Sequence, residues 1–459
     1  MNGSGRLGLA IVTVAVVAGG ALVLDRTQPP SRAGLAPRVA TSGAWLCPHG
    51  GDGGWTTDLY VANPGTGQVE VRVTSLSSRR AEPPAAYSVA AGAGLRIEGA
   101  SSDGAAASYI EYFGGWIAAG WVTHAGNEAS GVAAEPCAPE PGTHWLAPDG
   151  TTEKGEDATL VIMNPFDVDA VVDVTVLSAQ RAPIRESSLT NLRVAPHRSR
   201  LVRLNGVSAD EPVAAAQIDS HAGRVAVASL GVSDGGGIRG ALAVGSASPR
   251  LFLPGTHDVG QSTLAVMVPG EAEARFGATL LSQEPPEPAG GLTATNQSGQ
   301  SARAHPLITQ GASLVDLEVL AGSPPLTAVR RSEGKNGDPG ATAGTPVTAT
   351  SWVVLPTVAG TPNDPGMMLG NPGAEAIEVS LTSLGPEGVT DRISVTVPAD
   401  SAIGVPPAFI ERDPTAPVLA RSSARFVAAA ASSSLGREGT ASYAVAAGVP
   451  VPGGVEIAP

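Results

Sequence analysis

The stretch Leu59-Tyr60-Val61-Ala62-Asn63-Pro64-Gly65-Thr66-Gly67-Gln68-Val69-Glu70-Val71-Arg72-Val73-Thr74-Ser75-Leu76 reads as two strands around a turn. Val69, Val71 and Val73 alternate with Glu70 and Arg72, the period of a strand with one buried and one solvated face. Leu59 and Val61 alternate in the same way upstream. Proline cannot donate a ladder hydrogen bond and holds its own φ, while asparagine readily bonds the nearby backbone. Asn63-Pro64 therefore ends one strand and turns the chain into the next.

The pattern recurs. Asn164-Pro165 and Asn371-Pro372 repeat the pair, and Val268-Pro269 keeps the proline without the asparagine. A leucine stands twelve residues after each proline, at Leu76, Leu177, Leu281 and Leu384, with a threonine two before it at Thr74, Thr175, Thr279 and Thr382. Pro48, Pro148, Pro254 and Pro356 precede the turns by fifteen to seventeen residues. Ala170, Val172 and Val174 alternate in the second copy, Ile377, Val379 and Leu381 in the fourth, and Ala274, Phe276 and Ala278 keep the phase with smaller side chains. The leucine falls out of that phase, so a bulge or a strand end is expected beside the threonine. Before the turn, Leu160 and Ile162, Leu264 and Val266, and Met367 and Leu369 match Leu59 and Val61. Val194-Ala195-Pro196, Val397-Pro398-Ala399 and a degenerate Val89-Ala90-Ala91 mark later strands.

About seven short strands per hundred residues is the count of an immunoglobulin-like sandwich, and propeller blades are shorter. The fold class expected is all-β: four tandem immunoglobulin-like β-sandwich repeats after one N-terminal transmembrane helix. The boundaries are a cytoplasmic tail at 1–6, a transmembrane anchor or signal segment at 7–24, a linker at 25–42, and repeats at 43–140, 141–248, 249–349 and 350–459. The third repeat is degenerate, with mobile loops expected at 284–303 and 332–350. Short linkers between repeats imply a semi-rigid rod.

Composition supports several units. The chain has 459 residues, 58 Gly and 39 Pro, with 15% charged and 4% aromatic residues, a mixture suited to short strands and many turns. A net charge of -14 without a run of Lys or Arg argues against a nucleic-acid partner. Arg6 is followed by eighteen uncharged residues, Leu7 to Leu24, about the minimum for a bilayer span. No small-x-small cleavage site ends the segment, so an uncleaved anchor is preferred to a cleaved signal or a buried soluble helix. The flanking arginines Arg6, Arg26, Arg32 and Arg38 do not settle its orientation. The two cysteines, Cys47 and Cys137, fall at the ends of the first repeat, where a disulfide would persist outside the cytoplasm; two separate buried thiols are the alternative.

No catalytic, cofactor-binding or metal-binding constellation emerges. The seven histidines contain no pair at ligand spacing, and His49, near Asp52, and His144, beside Trp145, read as exposed turn residues. Gly50-Gly51-Asp52-Gly53-Gly54 joins two β segments and reads as a flexible turn. Asp149, Glu153, Glu156 and Asp157 lack the spacing of a calcium loop and read as solvating charge. Aromatics concentrate in the first repeat, where Trp55, Tyr60, Tyr109, Tyr112, Trp116 and Trp121 form a candidate binding patch for sugars or a partner protein, with core packing as the alternative.

With its apolar N-terminal segment, strand, Asn-Pro turn, Val-x-Val-Thr-x-Leu strand and later Val-Pro-Ala segment, the chain resembles an uncharacterised actinobacterial family of secreted or membrane-anchored proteins, a domain of unknown function. The resemblance covers nearly the whole chain and rests on turn and core motifs. It implies a cell-envelope protein without an assigned reaction, linked by analogy to envelope glycan assembly. The expectation is a non-enzymatic envelope scaffold or binding protein without cofactor. It would be single-pass through 7–24 with its bulk outside the membrane, or secreted after cleavage, and its partner would be an envelope protein or glycan. An extracytoplasmic enzyme with a non-local site and a purely mechanical spacer are the alternatives.

Overall fold

A computed structural model describes residues 41–458 apart from 52–54, 101–103, 126–130, 235–236, 334–338, 359–363 and 436–440. The expected tail at 1–6, the anchor at 7–24 and the linker as far as residue 40 lie outside the described residues. Among the described residues no helix is long and apolar enough to cross a membrane. The chain divides into two compact units, and the larger, built from 41–451 and 455–459, carries every strand of the described residues.

The first repeat has eight strands: β1 (Ser42–Cys47), β2 (Thr56–Asn63), β3 (Val69–Ser77), β4 (Ala85–Val89), β5 (Ala93–Ile97), β6 (Ala105–Phe113), β7 (Ala118–Ala125) and β8 (Gly131–Pro136). They form two antiparallel sheets, ordered β1-β6-β3-β4 and β5-β2-β7-β8. The second repeat has β9 (His144–Ala147), β10 (Glu156–Asn164), β11 (Ala170–Leu177), β12 (Leu192–Val194), β13 (Arg198–Arg203), β14 (Ala215–Ala222), β15 (Ala226–Ser233) and β16 (Ile238–Leu242). Their order, β9-β14-β11-β12 and β13-β10-β15-β16, repeats that topology strand for strand.

In the third repeat neighbouring strands fuse into β17 (Arg250–Val268) and β21 (Ser301–Val319), joined by β18 (Ala274–Leu281), β19 (Glu287–Pro288), β20 (Thr295–Gln297), β22 (Thr327–Glu333) and β23 (Pro339–Ala343). The fourth has β24 (Ala349–Val354), β25 (Asp364–Asn371), β26 (Ile377–Gly385), β27 (Gly388–Val397), β28 (Ser401–Gly404), the long β29 (Val418–Leu435), β30 (Ala441–Ala447) and β31 (Val449–Pro450). The loop expected to be mobile at 284–303 is instead tied to the sheet, because β19 and β20 both pair with β18 and Gln297 is buried.

The Asn-Pro turn acts as a bracket between distant segments. Asn63 Nδ2 donates to the carbonyls of Gly67, Val89 and Ala90 at 2.7, 3.1 and 2.9 Å, and its Oδ1 accepts the Gly65 N–H at 2.9 Å. Asn164 makes the same four bonds, to Val168, Val194, Ala195 and Phe166. Asn371 repeats them with Glu375, Val397, Pro398 and Gly373. In the third repeat Gln297 takes over part of this duty, its Nε2 reaching the Val266 carbonyl at 2.9 Å.

The strand entering that turn is buried on both faces. In β2 every residue from Thr57 to Asn63 is buried, and in β10 every residue from Leu160 to Asn164. One face packs inside its own sandwich; the other meets the preceding repeat. Leu146, Leu177 and Ala215 of the second repeat pack with Ala265, Met267 and Ala302 of the third. Phe252, Leu281 and Leu314 of the third pack with Met368, Ala402 and Val427 of the fourth. Leu76 of the first joins the core of the second, and Ser199 Oγ donates to the Leu76 carbonyl at 2.9 Å. The off-phase leucine is thus the residue that each repeat turns toward the next. The irregularity expected beside the threonine is present as register shifts at Leu76/Ser77 and Ser383/Leu384.

The series then closes on itself. Tyr60 of the first repeat donates its hydroxyl to the Val358 carbonyl of the fourth at 2.8 Å. Gly94, whose counterparts in the register are Ser199, Ala302 and Ala402, lies so close to the fourth repeat that a Cβ would fall 2.6 Å from the Leu384 carbonyl oxygen. The Ala458 N–H bonds the Pro64 carbonyl at 2.9 Å, so the C-terminal segment clasps the first Asn-Pro turn. At the centre β8, β16, β23 and β30 pack in order around an axis, and β30 returns to β8. The rod expected from the short linkers is corrected to a closed ring, because the outward positions of the turn strands are apolar and need cover at every joint.

Two substitutions test the bracket and the closing joint. Asn164→Ala leaves buried carbonyls without a donor and is expected to cost ~2 kcal/mol in chemical unfolding; an unchanged midpoint would refute the bracket. Gly94→Val is expected to lower the Tm by several degrees while Gly67→Val, at an open position, does not. Equal effects would show that the joint with the fourth repeat is loose.

Candidate functional site

The candidate aromatic patch does not assemble on one exposed surface. Tyr60 and Trp121 are fully buried, and Tyr112 and Trp116 nearly so. Tyr60 lies in the joint with the fourth repeat, where burial pushes its hydroxyl pKa up. Trp121 lies against the second repeat, with its ring edge under Gly240, where a Cβ would approach it to 2.8 Å. Trp116 meets Trp45 edge to face at 6.3 Å, inside the first repeat. Tyr109 is half-buried against the core of the second repeat, and Trp55 is also half-buried. Tyr60 and Trp121 stand at joint positions where the second repeat carries Val161 and Ser229 and the fourth Met368 and Ala430.

Cys47 and Cys137 form a disulfide across 90 residues, joining the end of β1 to the residue after β8. Close by is a buried polar cluster that sequence reading did not find. His49, expected in an exposed turn, is fully buried because the first sandwich closes over it. Its Nδ1 lies 2.6 Å from the Gly50 carbonyl, its Nε2 3.0 Å from Ser108 Oγ, and Thr57 and Thr123 complete the network. The carbonyl fixes the proton on Nδ1, so Nε2 accepts the serine hydroxyl. This is the contact of a nucleophile and base, yet the orienting group is a carbonyl where hydrolases use a carboxylate, and Ser108 is itself fully buried. Burial lowers the imidazole pKa to about 4, so the ring is neutral at pH 7 and serves the fold. Asp52 lies outside the described residues.

The acidic residues of the second repeat hold another joint. Asp149, expected as solvating charge, is buried, with Arg331 Nε at 2.6 Å and Arg239 Nε at 3.5 Å. Burial pushes its pKa up, but the two guanidiniums outweigh it and hold the carboxyl below its usual value. Arg331 comes from the third repeat and also donates to the carbonyls of Pro212 and Gly150. Glu156 pairs with Arg239 at 2.9 Å and Asp157 with Arg203 at 2.5 Å, while Glu153 stays exposed. His144, half-exposed, bonds Asp219 at 2.7 Å. Among the described residues no group of three or more His, Cys, Asp or Glu is placed to hold a metal ion.

On the central axis Glu135 of β8 is buried. Burial pushes its pKa well up, against the N–H groups of Ala343 and Leu242, which favour the charged form. These belong to the third and second repeats, so this carboxyl meets three repeats at once.

The polar clusters and joints thus define a β-sandwich repeat protein closed by its own interfaces. The family described as a family of unknown function, DUF5719, matches residues 111–408, from β6 of the first repeat into the fourth, and the chain belongs to it. No curated protein matches. Among solved structures, a tetra-tandem repeat in the extending region of a large adhesion protein is similar at 12% identity over 89% of this chain and 99% of that one, with a TM-score of 0.11.

His49 sets a pH dependence. Its folded pKa of about 4 lies below the unfolded value of 6.5, so its contribution is complete above pH 6.5 and is lost as pH falls toward 4. The loss is about 3 kcal/mol for a wholly buried ring. The Tm of the native chain is expected to fall across that window, and the fall is expected to shrink in His49→Gln. The same slope in both proteins would remove His49 as its source.

Proposed function

We propose that this protein is a non-enzymatic scaffold of the cell envelope, exposed outside the cytoplasm, that presents a ring of immunoglobulin-like repeats to an envelope protein or glycan. Residues 7–24 would hold it at the membrane as a single span, or be cleaved to release it. The observation that carries the reading is the Cys47–Cys137 disulfide, since such bonds persist in oxidising compartments and are rare in the cytosol. The resemblance to secreted or membrane-anchored actinobacterial proteins agrees with that placement. Ring closure favours a presenting platform over a mechanical spacer, because packing each repeat against two others shortens the chain that a spacer would extend.

Thiol labelling of intact cells, with and without reductant, and the mass of the mature N-terminus test the reading together. Thiols that label only after reduction, on a chain retaining Leu7 to Leu24, are the expected result. Thiols that label freely without reductant would return the protein to the cytoplasm and remove the proposal.

A further inference from the structure

On the outer sheet face of the first three repeats several charged side chains are engaged within the fold. In the first repeat Arg72 lies over the Phe113 ring at 5.3 Å and Glu70 accepts the Gln68 amide at 3.0 Å. In the second, Asp173 is held by the Asn191 N–H and His221, each at 2.7 Å, and Asp219 by His144 and Gln217. In the third, Arg250 grips Asp316 with two bonds of 2.8 and 2.5 Å. In each of these repeats these charges are engaged from within.

In the fourth repeat β27 runs for 10 residues where its counterparts β4 and β12 run for 5 and 3, so the sheet is wider. A groove of about 720 Å³ lies on it, lined by Arg392, Arg421, Ser380, Thr382, Ser394 and Glu378. The register sets the pattern: Arg421, Ser380 and Ser394 form one row across the sheet, and Leu419, Thr382 and Arg392 the next. One wall is the C-terminal segment at Ile457 and Ala458, which clasps the first repeat, so the groove runs beside the seam where the ring closes. Among the described residues neither guanidinium has a carboxylate partner. Asp391, next in sequence, is taken by Arg412, and Arg425 donates to the Thr348 carbonyl. Glu378 accepts the Ser394 hydroxyl at 2.5 Å.

We propose that this groove binds an acidic oligosaccharide whose uronate carboxylates meet Arg392 and Arg421 and whose hydroxyls meet the serine and threonine rows and Glu378. The inference rests on the presenting-scaffold reading and names its ligand class. Charge complementarity carries it: two guanidiniums without carboxylate partners among the described residues stand together on a chain of net charge -14. A guanidinium matches a planar carboxylate with two parallel hydrogen bonds. From strand spacing and rise, the two arginine backbones stand about 12 Å apart, a separation that suits successive units of a chain. Glu378 discriminates the backbone of the ligand. Each uronate unit brings two free hydroxyls per negative charge that can donate to its carboxylate, whereas a glycerol phosphate unit brings one.

The test is calorimetric titration of the full chain with a short oligogalacturonate, a neutral malto-oligosaccharide of equal length, and poly(glycerol phosphate). The oligogalacturonate is expected to bind, more weakly at high salt, and the neutral sugar much less. Arg392→Ala and Arg421→Ala are each expected to weaken binding about tenfold, the scale of one charge-assisted hydrogen bond, while Arg72→Ala on the first repeat leaves it unchanged. Matched melting curves ensure that the variants are folded. No oligogalacturonate binding, equal binding of the neutral sugar, preference for poly(glycerol phosphate), or full affinity in the folded double variant would each overturn the proposal. None of these results touches the thiol-labelling outcome, so the ligand can fail while the location stands.

Discussion

The architecture depends on one constraint: the strand that enters each Asn-Pro turn carries apolar side chains on both faces. Met163, Met267 and Met368 point away from their own sandwiches and are each buried. Leaving such a side chain in water costs about 1.5–3 kcal/mol, and each repeat has several. A linear array would cover these faces at the internal joints and expose one at each end. Solenoid proteins solve that problem with polar capping repeats. Here the first repeat offers Tyr60 and Gly94 to the fourth, and the two ends cover each other. The same two-sided burial explains why the core clusters cross repeat boundaries, as when Leu76 enters the core of the second repeat.

A closed ring of related repeats forces departures from symmetry at its axis. The four innermost strands place Glu135, Ala241, Thr342 and Ala446 at corresponding positions opposite Trp121, Ser229, Arg330 and Ala430. Two alanines leave room for one long side chain to cross toward two other repeats. Glu135 fills it by accepting N–H groups at the edges of two sheets, and Thr342 bonds the Val445 carbonyl at 3.0 Å. Exposed edges otherwise invite pairing with other chains. The seam has its own devices in Gly94 and the C-terminal clasp.

Much of the repeat was legible because local chemistry repeats with it. Alternation in Val69 to Val73 and its copies located the strands, and Asn-Pro located the turns. The position of Cys47 and Cys137 at the ends of one repeat anticipated their bond. The ring was missed although its signal was present. Tyr60, Ala62, Val161, Met163, Ala265, Met267 and Met368 occupy out-facing positions and are apolar, which a solvated sheet face does not tolerate. The off-phase Leu76 and its copies mark both the strand irregularity and the side chain turned toward the next repeat. The aromatic residues were assigned by concentration, yet Tyr60 and Trp121 serve two different joints that no local period reveals. His49 was misplaced for a related reason: the groups that enclose it, Ser108 and Thr123, are distant in sequence.

The joints constrain some positions of each sheet and leave others free. On β26, Leu384 approaches the first repeat while Glu378 and Ser380 face solvent. Side chains at such free positions can change without disturbing closure, so each repeat can carry its own surface chemistry on a shared frame. In three repeats particular charges on that face are engaged within the fold, Arg72 by an aromatic ring, Asp173 by a histidine and Asp316 by a bidentate arginine. In the fourth, the long β27 widens the sheet and, among the described residues, two arginines remain without a carboxylate. An unpaired guanidinium contributes little to folding when exposed, so pairing within the fold is not what places it there. A ring that has already buried its apolar faces leaves polar sheet surfaces free to vary, and the fourth repeat places two arginines on one of them beside the seam.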